Sequence, residues 1–368
     1  MIKKMTYMDS GVNIELGDDV SKILYNAAKQ TWENRKGGIG EVIVPFDDFS
    51  GVRAIDVSGL PKGTMMNIGF DGVGTKVEIA ERTGNYSTLA YDLFAMVCDD
   101  AVVSGAEPVL IGSILDVNSL TGSIEKVKQL AHGYVAAAKE ANVAVVNGEV
   151  AELGNRVGGF GSFNCNWGAA VVWFAKKERM FTGSRLKEGD SVVALKETGF
   201  RSNGFSLLRK ILKDARGDDW HNDEKLAKQA LQPSRIYSAG VCDMFGGYSK
   251  ELKAELHAVA HITGGGIPGK LGRALRSSGL GANLDSLFEP CDLMLYLQKK
   301  GGVADQEAYR TWNMGNGMLI VTPEPENVIA IAKQHRIEAK IAGKITAEKG
   351  IRIKSKGNLG KGKTILFE

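Results

Sequence analysis

Apolar residues recur along this chain in two alternating rhythms. Over 18–32 they return at helical spacing, with Val20, Ile23, Leu24 and Ala27 on one face. The same spacing over 89–104 gathers Leu93, Met96, Val97, Val102 and Val103, and 122–142 repeats it. Between these helices, short apolar runs predict strands at 42–46, 65–68, 109–117, 143–147 and 167–175. A polar stretch, 176–189, reads as a link. Beyond it the pattern begins again: strands at 191–195, 257–262 and 319–321, helices starting at Phe205, at Pro268 and near Glu326, and a closing strand pair. Strands alternating with helices predict an α/β (α+β) chain in two domains, 1–175 and 176–368.

The candidate chemistry sits where strands open into loops. Gly69, Gly72 and Gly74 surround Asp71 and lead to Thr75 and Lys76. Glycines let a backbone approach a ligand and turn its N–H groups inward. Asp71 offers a hard oxygen for Mg²⁺, Thr75 a hydroxyl, and Lys76 a point charge for phosphate. The segment is not a P-loop, since Lys76 follows Thr75, and by itself it could be an ordinary turn. A second cluster, Gly37, Gly38 and Gly40, reads alone as a connector, or functionally as a lid over phosphate.

Acids gather at similar places. Asp99 and Asp100 are adjacent in a helix with a buried pattern, which is costly unless they are paired or bound to a cation. Glu149 and Glu152 follow the predicted strand 143–147, where ligands collect in open α/β sheets. Ser202, Asn203 and Gly204 precede one helix; Thr263, Gly264, Gly265 and Gly266 precede another. Both are places where free N–H groups receive anions. His261, within an apolar strand, is expected to be a hydrogen-bonded core histidine.

Composition narrows the field further. The 368 residues are 43% apolar with a net charge of +3, which gives no electrostatic support to a nucleic-acid or membrane-surface role. The lysines at 354, 356, 361 and 363 lie among glycines and read as a solvated turn. Cys98, Cys165, Cys242 and Cys291 form no C-x-x-C pair, which argues for reduced thiols and against structural zinc. No apolar leader follows the first residues, so a cytoplasmic location is expected.

Taken in order, Asp71-Gly72-Val73-Gly74-Thr75-Lys76, Asp100 with Gly105-Ala106-Glu107-Pro108, Gly148-Glu149-Val150-Ala151-Glu152, Ser202-Asn203-Gly204 and His261-Ile262-Thr263-Gly264-Gly265-Gly266 make the chain resemble the aminoimidazole ribonucleotide (AIR) synthetases, the phosphoribosylformylglycinamidine cyclo-ligases. The resemblance spans nearly the whole length. It implies a two-domain AIR-synthetase-like fold, with an N-terminal mixed sheet and helices at a homodimer interface and a C-terminal α/β domain. It also implies ATP-dependent ring closure of formylglycinamidine ribonucleotide, releasing ADP and phosphate, in purine biosynthesis. An amide oxygen leaves poorly, and transfer of the γ-phosphoryl group to it would let the neighbouring nitrogen displace phosphate; such a transfer asks chiefly for alignment and charge neutralisation.

On this resemblance Asp71 and Asp100 bind Mg²⁺, Glu149 and Glu152 add metal or substrate contacts, and Lys76 meets the ATP phosphates. Gly37, Gly38 and Gly40 close over the triphosphate beside Gly72, Gly74 and Thr75, while Ser202, Asn203, Thr263, Gly264 and Gly265 hold anionic groups. The chain departs from the family's pattern in three places. Arg201 stands where His is usual, Asp99 where Asn is usual, and Asn147 and Val150 alter a Gly-Gly-Glu-Thr-Ala-Glu run. Selenophosphate synthetase, thiamine-monophosphate kinase and the hydrogenase-maturation dehydratase are related alternatives. The first usually carries a reactive residue near its N-terminal glycine loop and the last a C-terminal cysteine, whereas here Cys98 lies in a predicted helix and the sequence closes on Glu368. A catalytically silent nucleotide-binding homologue is the alternative of a different class.

Overall fold

The computed structural model describes residues 14–43 and 53–368. The turn-rich segment 7–13 and most of the predicted strand 42–46 lie outside the described residues; Ile43 forms only an isolated bridge with Ala54.

The first half contains α1 (Ile14–Thr31), β1 (Thr64–Gly72), α2 (Val77–Thr83), α3 (Leu89–Val102), β2 (Glu107–Val117), α4 (Ile124–Ala141), β3 (Ala144–Glu152) and β4 (Cys165–Lys176). The four strands form one sheet in the order β1-β4-β2-β3. β1 and β2 each run antiparallel to β4, and β2 runs parallel to β3. The carboxyl ends of β1, β2 and β3 therefore share one edge, the usual place for ligands in such sheets. Alternation along β4 buries Trp167, Ala169 and Val171 against Leu93, Phe94 and Tyr134 of the helices. The opposite face is open: Phe70 is 75% exposed and Ile114 55%, with Met66 and Ile68 beside them.

The second half contains β5 (Ser191–Lys196), α5 (Phe205–Arg216), α6 (Glu224–Ala230), α7 (Ser238–Phe245), β6 (Ala258–His261), α8 (Gly266–Leu275), β7 (Gly281–Leu284), α9 (Asp292–Gly301), α10 (Asp305–Thr311), β8 (Asn316–Thr322), α11 (Pro325–Gln334), β9 (Ala339–Thr346), β10 (Gly350–Lys354) and β11 (Thr364–Phe367). Its seven strands lie in the order β11-β10-β7-β9-β5-β8-β6. Only β7 and β10 pair in parallel. A continuous apolar core runs from Val20 through Phe205 to Phe367, so the two sheets share their packing. No helix among the described residues is long and apolar enough to cross a membrane.

Two strands run further than the apolar pattern predicts. β1 continues through Asp71 and Gly72, and β3 through Glu149 to Glu152. The reason is pairing: Asp71 lies opposite Ala169, and Glu152 opposite Val117, so the neighbouring strand holds these polar residues in register. Glu149 and Glu152 thus belong to the strand and not to a loop beyond it.

Candidate active site

The loop after β1 is shaped first by its own sheet. A Cβ at Gly72 would come within 2.9 Å of the Trp167 carbonyl, and the Val73 N–H donates to that carbonyl at 3.0 Å. Gly72 is therefore a requirement of strand pairing. Gly74 adopts φ +66°, where a side chain is strained, and Gly74 and Thr75 are exposed.

Lys76 points the other way. The 3₁₀ turn Gly74–Lys76 carries its side chain inward to zero exposure. There its ammonium donates to Asp92 Oδ1 at 2.7 Å and to the Gln232 carbonyl at 2.6 Å, with the Phe205 ring 5.7 Å away. Burial lowers the Lys76 pKa, opposed by the Asp92 charge. The phosphate contact expected of Lys76 is corrected: its charge is spent inside the wall behind the loop.

The lid expected at Gly37, Gly38 and Gly40 is corrected in the same way. Arg35 donates to the Ile39 carbonyl from Nε and Nη2 and pairs with Glu107 at 2.8 Å, which ties this turn to the start of β2. Gly40, at φ +88°, lies against Val109, leaving no room for a Cβ. Asp71 is level with Ser113, six residues along β2 from Glu107, or roughly 20 Å at a strand's rise. The turn packs at the wrong end of the sheet to cover a ligand at Asp71.

At the carboxyl edge, several distant segments do meet. The last turn of α3 presents Asp100, whose side chain is half exposed, and His261 at the end of β6 lies 2.7 Å from it, Nδ1 to Oδ1. His261 in turn faces Arg201, Nη2 to Nε2, at 2.7 Å. Arg201 has no exposure and pairs with Asp99 at 2.8 Å and Glu197 at 2.9 Å. Asp99 also accepts the N–H groups of Tyr237 and Ser238 at the start of α7. Two of the places where the sequence departs from the pattern it resembles, 99 and 201, are thus the two partners of one buried ion pair. Asp99 spends its charge there and is not available to a metal.

The titration of these groups follows from their surroundings. Burial, followed by the Arg201 charge, pushes His261 down to about 4, so the ring is neutral near pH 7. Burial opposes ionisation of Asp100, but the His261 hydrogen bond and the nearby charges outweigh it and hold the carboxyl below its usual value. Burial raises the Asp71 carboxyl; its bond from the Gly72 N–H acts against that, Asp100 adds to the rise, and Lys270 lowers it. Lys270, on the second turn of α8, therefore lies in the field of Asp71, Asp100 and His261. Sequence reasoning missed it. Its signal was its place, four residues after Gly266 on the helix that opens at the glycine loop.

The loops at 202–204 and 263–265 complete the edge. A Cβ on Gly74 would sit 3.7 Å from the Ser202 carbonyl, and one on Gly264 would sit 3.5 Å from Asn203 Nδ2. Ser202 Oγ and Asn203 Oδ1 are buried without a protein partner, which points to a ligand that supplies one. Thr263 is buried and accepts the Gly266 N–H at 2.8 Å; Gly264 and Gly265 are exposed at the start of α8. Gly74, Ser202, Asn203, Thr263, Gly264 and Gly265 therefore form one neighbourhood.

The four expected metal ligands do not form one cluster. Among the described residues, no three His, Cys, Asp or Glu side chains gather closely enough to hold an ion alone. Glu152 Oε1 accepts the Leu120 N–H at 2.8 Å, and Glu152 lies opposite Val117, four residues along β2 from Ser113 at the level of Asp71, so it stands apart from Asp71. Glu149 is exposed on the Ile114 face, while Asp71 is in register with the inward-facing Ala169. Both nevertheless line a cavity of about 710 Å³ over the open face, together with Phe70, Gly74 and Gly168. Asp71 and Asp100 remain as a carboxylate pair. One or two protein carboxylates completed by phosphate oxygens and water is how Mg²⁺ is commonly held.

Comparison with known proteins finds relatives over nearly the whole chain. Residues 52–163 match the N-terminal domain, and residues 187–356 the C-terminal domain, of AIR synthase related proteins. The chain is 32% identical over 357 residues to a phosphoribosylformylglycinamidine cyclo-ligase of Thermococcus kodakarensis, covering 96% of this chain and 99% of that protein. It is 33% identical over 359 residues to the protein of that name in Methanococcoides burtonii, with 96% and 98% covered. The fold is similar to that of HypE, a hydrogenase maturation protein of E. coli, at a TM-score of 0.63 and 14% identity, covering 95% of this chain and 96% of that one.

Proposed function

The chain is an enzyme of the phosphoribosylformylglycinamidine cyclo-ligase (AIR synthetase) family, and from that premise we propose that it closes formylglycinamidine ribonucleotide to 5-aminoimidazole ribonucleotide with ATP, releasing ADP and phosphate. The observation that carries this reading is the meeting at one sheet edge of Asp71, the Asp100–His261 pair and two loops with unpartnered buried oxygens on Ser202 and Asn203. A site of hard carboxylates beside loose hydroxyl and amide groups suits a magnesium triphosphate and a sugar phosphate.

ATP supplies the phosphoryl group that turns the amide oxygen into a leaving group. The chain's own part is placement. Asp71 and Asp100 would hold Mg²⁺, and Lys270 would neutralise phosphate charge in place of Lys76. Gly264 and Gly265, at the positive end of the ten-residue helix α8, would receive phosphate oxygens through their N–H groups. Ser202 Oγ and Asn203 Oδ1 would find their missing partners in the substrate. With His261 a neutral ring, the negative charge of Asp100 is left for a cation.

The exposed apolar face of the first sheet supports a homodimer. Met66, Ile68, Phe70 and Ile114 form a patch whose burial against a second copy would close the cavity that Glu149 and Asp71 line. Glu149 would then act from within that interface. An assay of ADP release with purified protein, ATP and Mg²⁺ tests the reading. Release that depends on formylglycinamidine ribonucleotide is expected; ATP binding with no substrate-dependent release would overturn it.

A further inference from the structure

We infer that Arg201 is a positioning residue that sets the direction of the His261–Asp100 hydrogen bond and so aims the Asp100 carboxylate at the site. The inference rests on the reading of Asp100 as a ligand-binding group. A guanidinium can only donate. Arg201 Nη2 lies 2.7 Å from His261 Nε2, so that nitrogen must present its lone pair. The ring's single proton then sits on Nδ1, which faces Asp100 Oδ1 at 2.7 Å and donates to it. With the proton on Nε2, N–H would oppose N–H at one end of the ring and a lone pair would oppose a carboxylate at the other. Arg201 therefore selects the tautomer, as a partner on one ring nitrogen fixes what the other can do.

The remaining contacts show why Arg201 can serve as the fixed point. Nη1 donates to Glu197 Oε2 and to the Arg235 carbonyl, both at 2.9 Å, and Nη2 also reaches Asp99 Oδ2 at 2.8 Å. Glu197 is itself held by the Thr198 N–H at 2.8 Å. The guanidinium is thus anchored on two carboxylates from different segments, and the residue tolerates φ +58°, a conformation uncommon for a side-chain-bearing residue. At the other end, Asp100 sits half exposed on the last turn of α3. Without the bond from Nδ1 its carboxylate would be free to rotate. With it, Oδ1 is fixed and Oδ2 is left for an incoming ligand. A purely structural ion pair among Arg201, Asp99 and Glu197 would not require His261 to hold either tautomer.

Long-range ¹H–¹⁵N spectra of the intact protein labelled at its five histidines decide the matter in the wild type. His261, assigned through the signal lost in His261→Asn, is expected to show a protonated Nδ1 and a bare Nε2 at neutral pH. A proton on Nε2, or on both nitrogens, overturns the inference whether or not the protein cyclises any substrate. Calorimetric titration with Mg²⁺ and ATP provides a second arm. His261→Leu should weaken Mg²⁺-dependent binding by roughly 10- to 100-fold. His261→Asn, whose amide N–H can replace Nδ1–H, should recover most of that loss; equal weakening in both variants, or none in either, overturns the inference. Absence of substrate-dependent ADP release alongside the expected tautomer would remove the proposed reaction and leave this inference standing.

Discussion

Lys76 and Arg201 are both fully buried cations, each beside a candidate ligand loop and each paired with a carboxylate of α3. They differ in what remains after pairing. The Lys76 ammonium is taken up by Asp92 and the Gln232 carbonyl, and it ends in the wall. The Arg201 guanidinium serves Asp99 and Glu197 and still has a donor for His261, through which it reaches Asp100. Five donors in a rigid fork can close an ion pair and pass an influence onward; a point charge has less to spare. Proximity to a glycine loop therefore says little about whether a cation serves the ligand.

The sharpest way to break the comparison is to remove each side's key group. Asp100→Asn is expected to lower turnover by about 100-fold or more with a small change in stability, measured by steady-state kinetics beside urea unfolding. Lys76→Met should do the reverse in kind. It leaves Asp92 charged and buried, at a cost of about 3–5 kcal/mol in unfolding free energy, whereas a turnover defect at unchanged stability would restore Lys76 to the phosphates.

Acid provides a milder test on the Arg201 side. His261 ordinarily titrates at 6.5 and is held at about 4 when folded, by burial first and Arg201 second. Between those values the unfolded chain binds the extra proton. Stability is therefore fully present above 6.5 and is lost as pH falls towards 4, by about 3 kcal/mol at most. His261→Asn should flatten that part of the stability–pH curve; an unchanged slope would assign it to other groups. The smallest effect on the folded subunit itself is expected from Phe70→Glu on the open face, 75% exposed. It should shift sedimentation towards monomer while subunit unfolding changes by less than about 0.5 kcal/mol.

Much of the architecture was legible in the amino-acid pattern. The helices at α3 and α4 and the strands at β2, β4, β5 and β8 follow from spacing alone, because burial on one or both faces imposes it. The polar ends of β1 and β3 were not legible. Asp71 and Glu152 are kept in strand by the neighbours opposite them, which one segment cannot reveal. The site divides along the same line. Strand ends and glycine loops mark Asp71, Ser202, Asn203 and Gly264 as candidates, and the adjacent acids of a helix with a buried pattern mark Asp100. Lys76 and Gly40 were misassigned because the direction of a side chain and the end of the sheet it serves depend on contacts such as Gln232 and Val109, far away in sequence. Arg201 registered only as an oddity until Asp99, over a hundred positions earlier, appeared beside it.

The most direct test of the central claim is a crystal structure of the protein with a non-hydrolysable ATP analogue and Mn²⁺ in place of Mg²⁺, with the ion located by anomalous scattering. Manganese bound to Asp71 or Asp100, with the analogue's phosphates against Ser202, Asn203 and the Gly264 loop, is the predicted result. An ion at Glu152, or phosphates gathered around Lys76 or Gly37–Gly40, would contradict it.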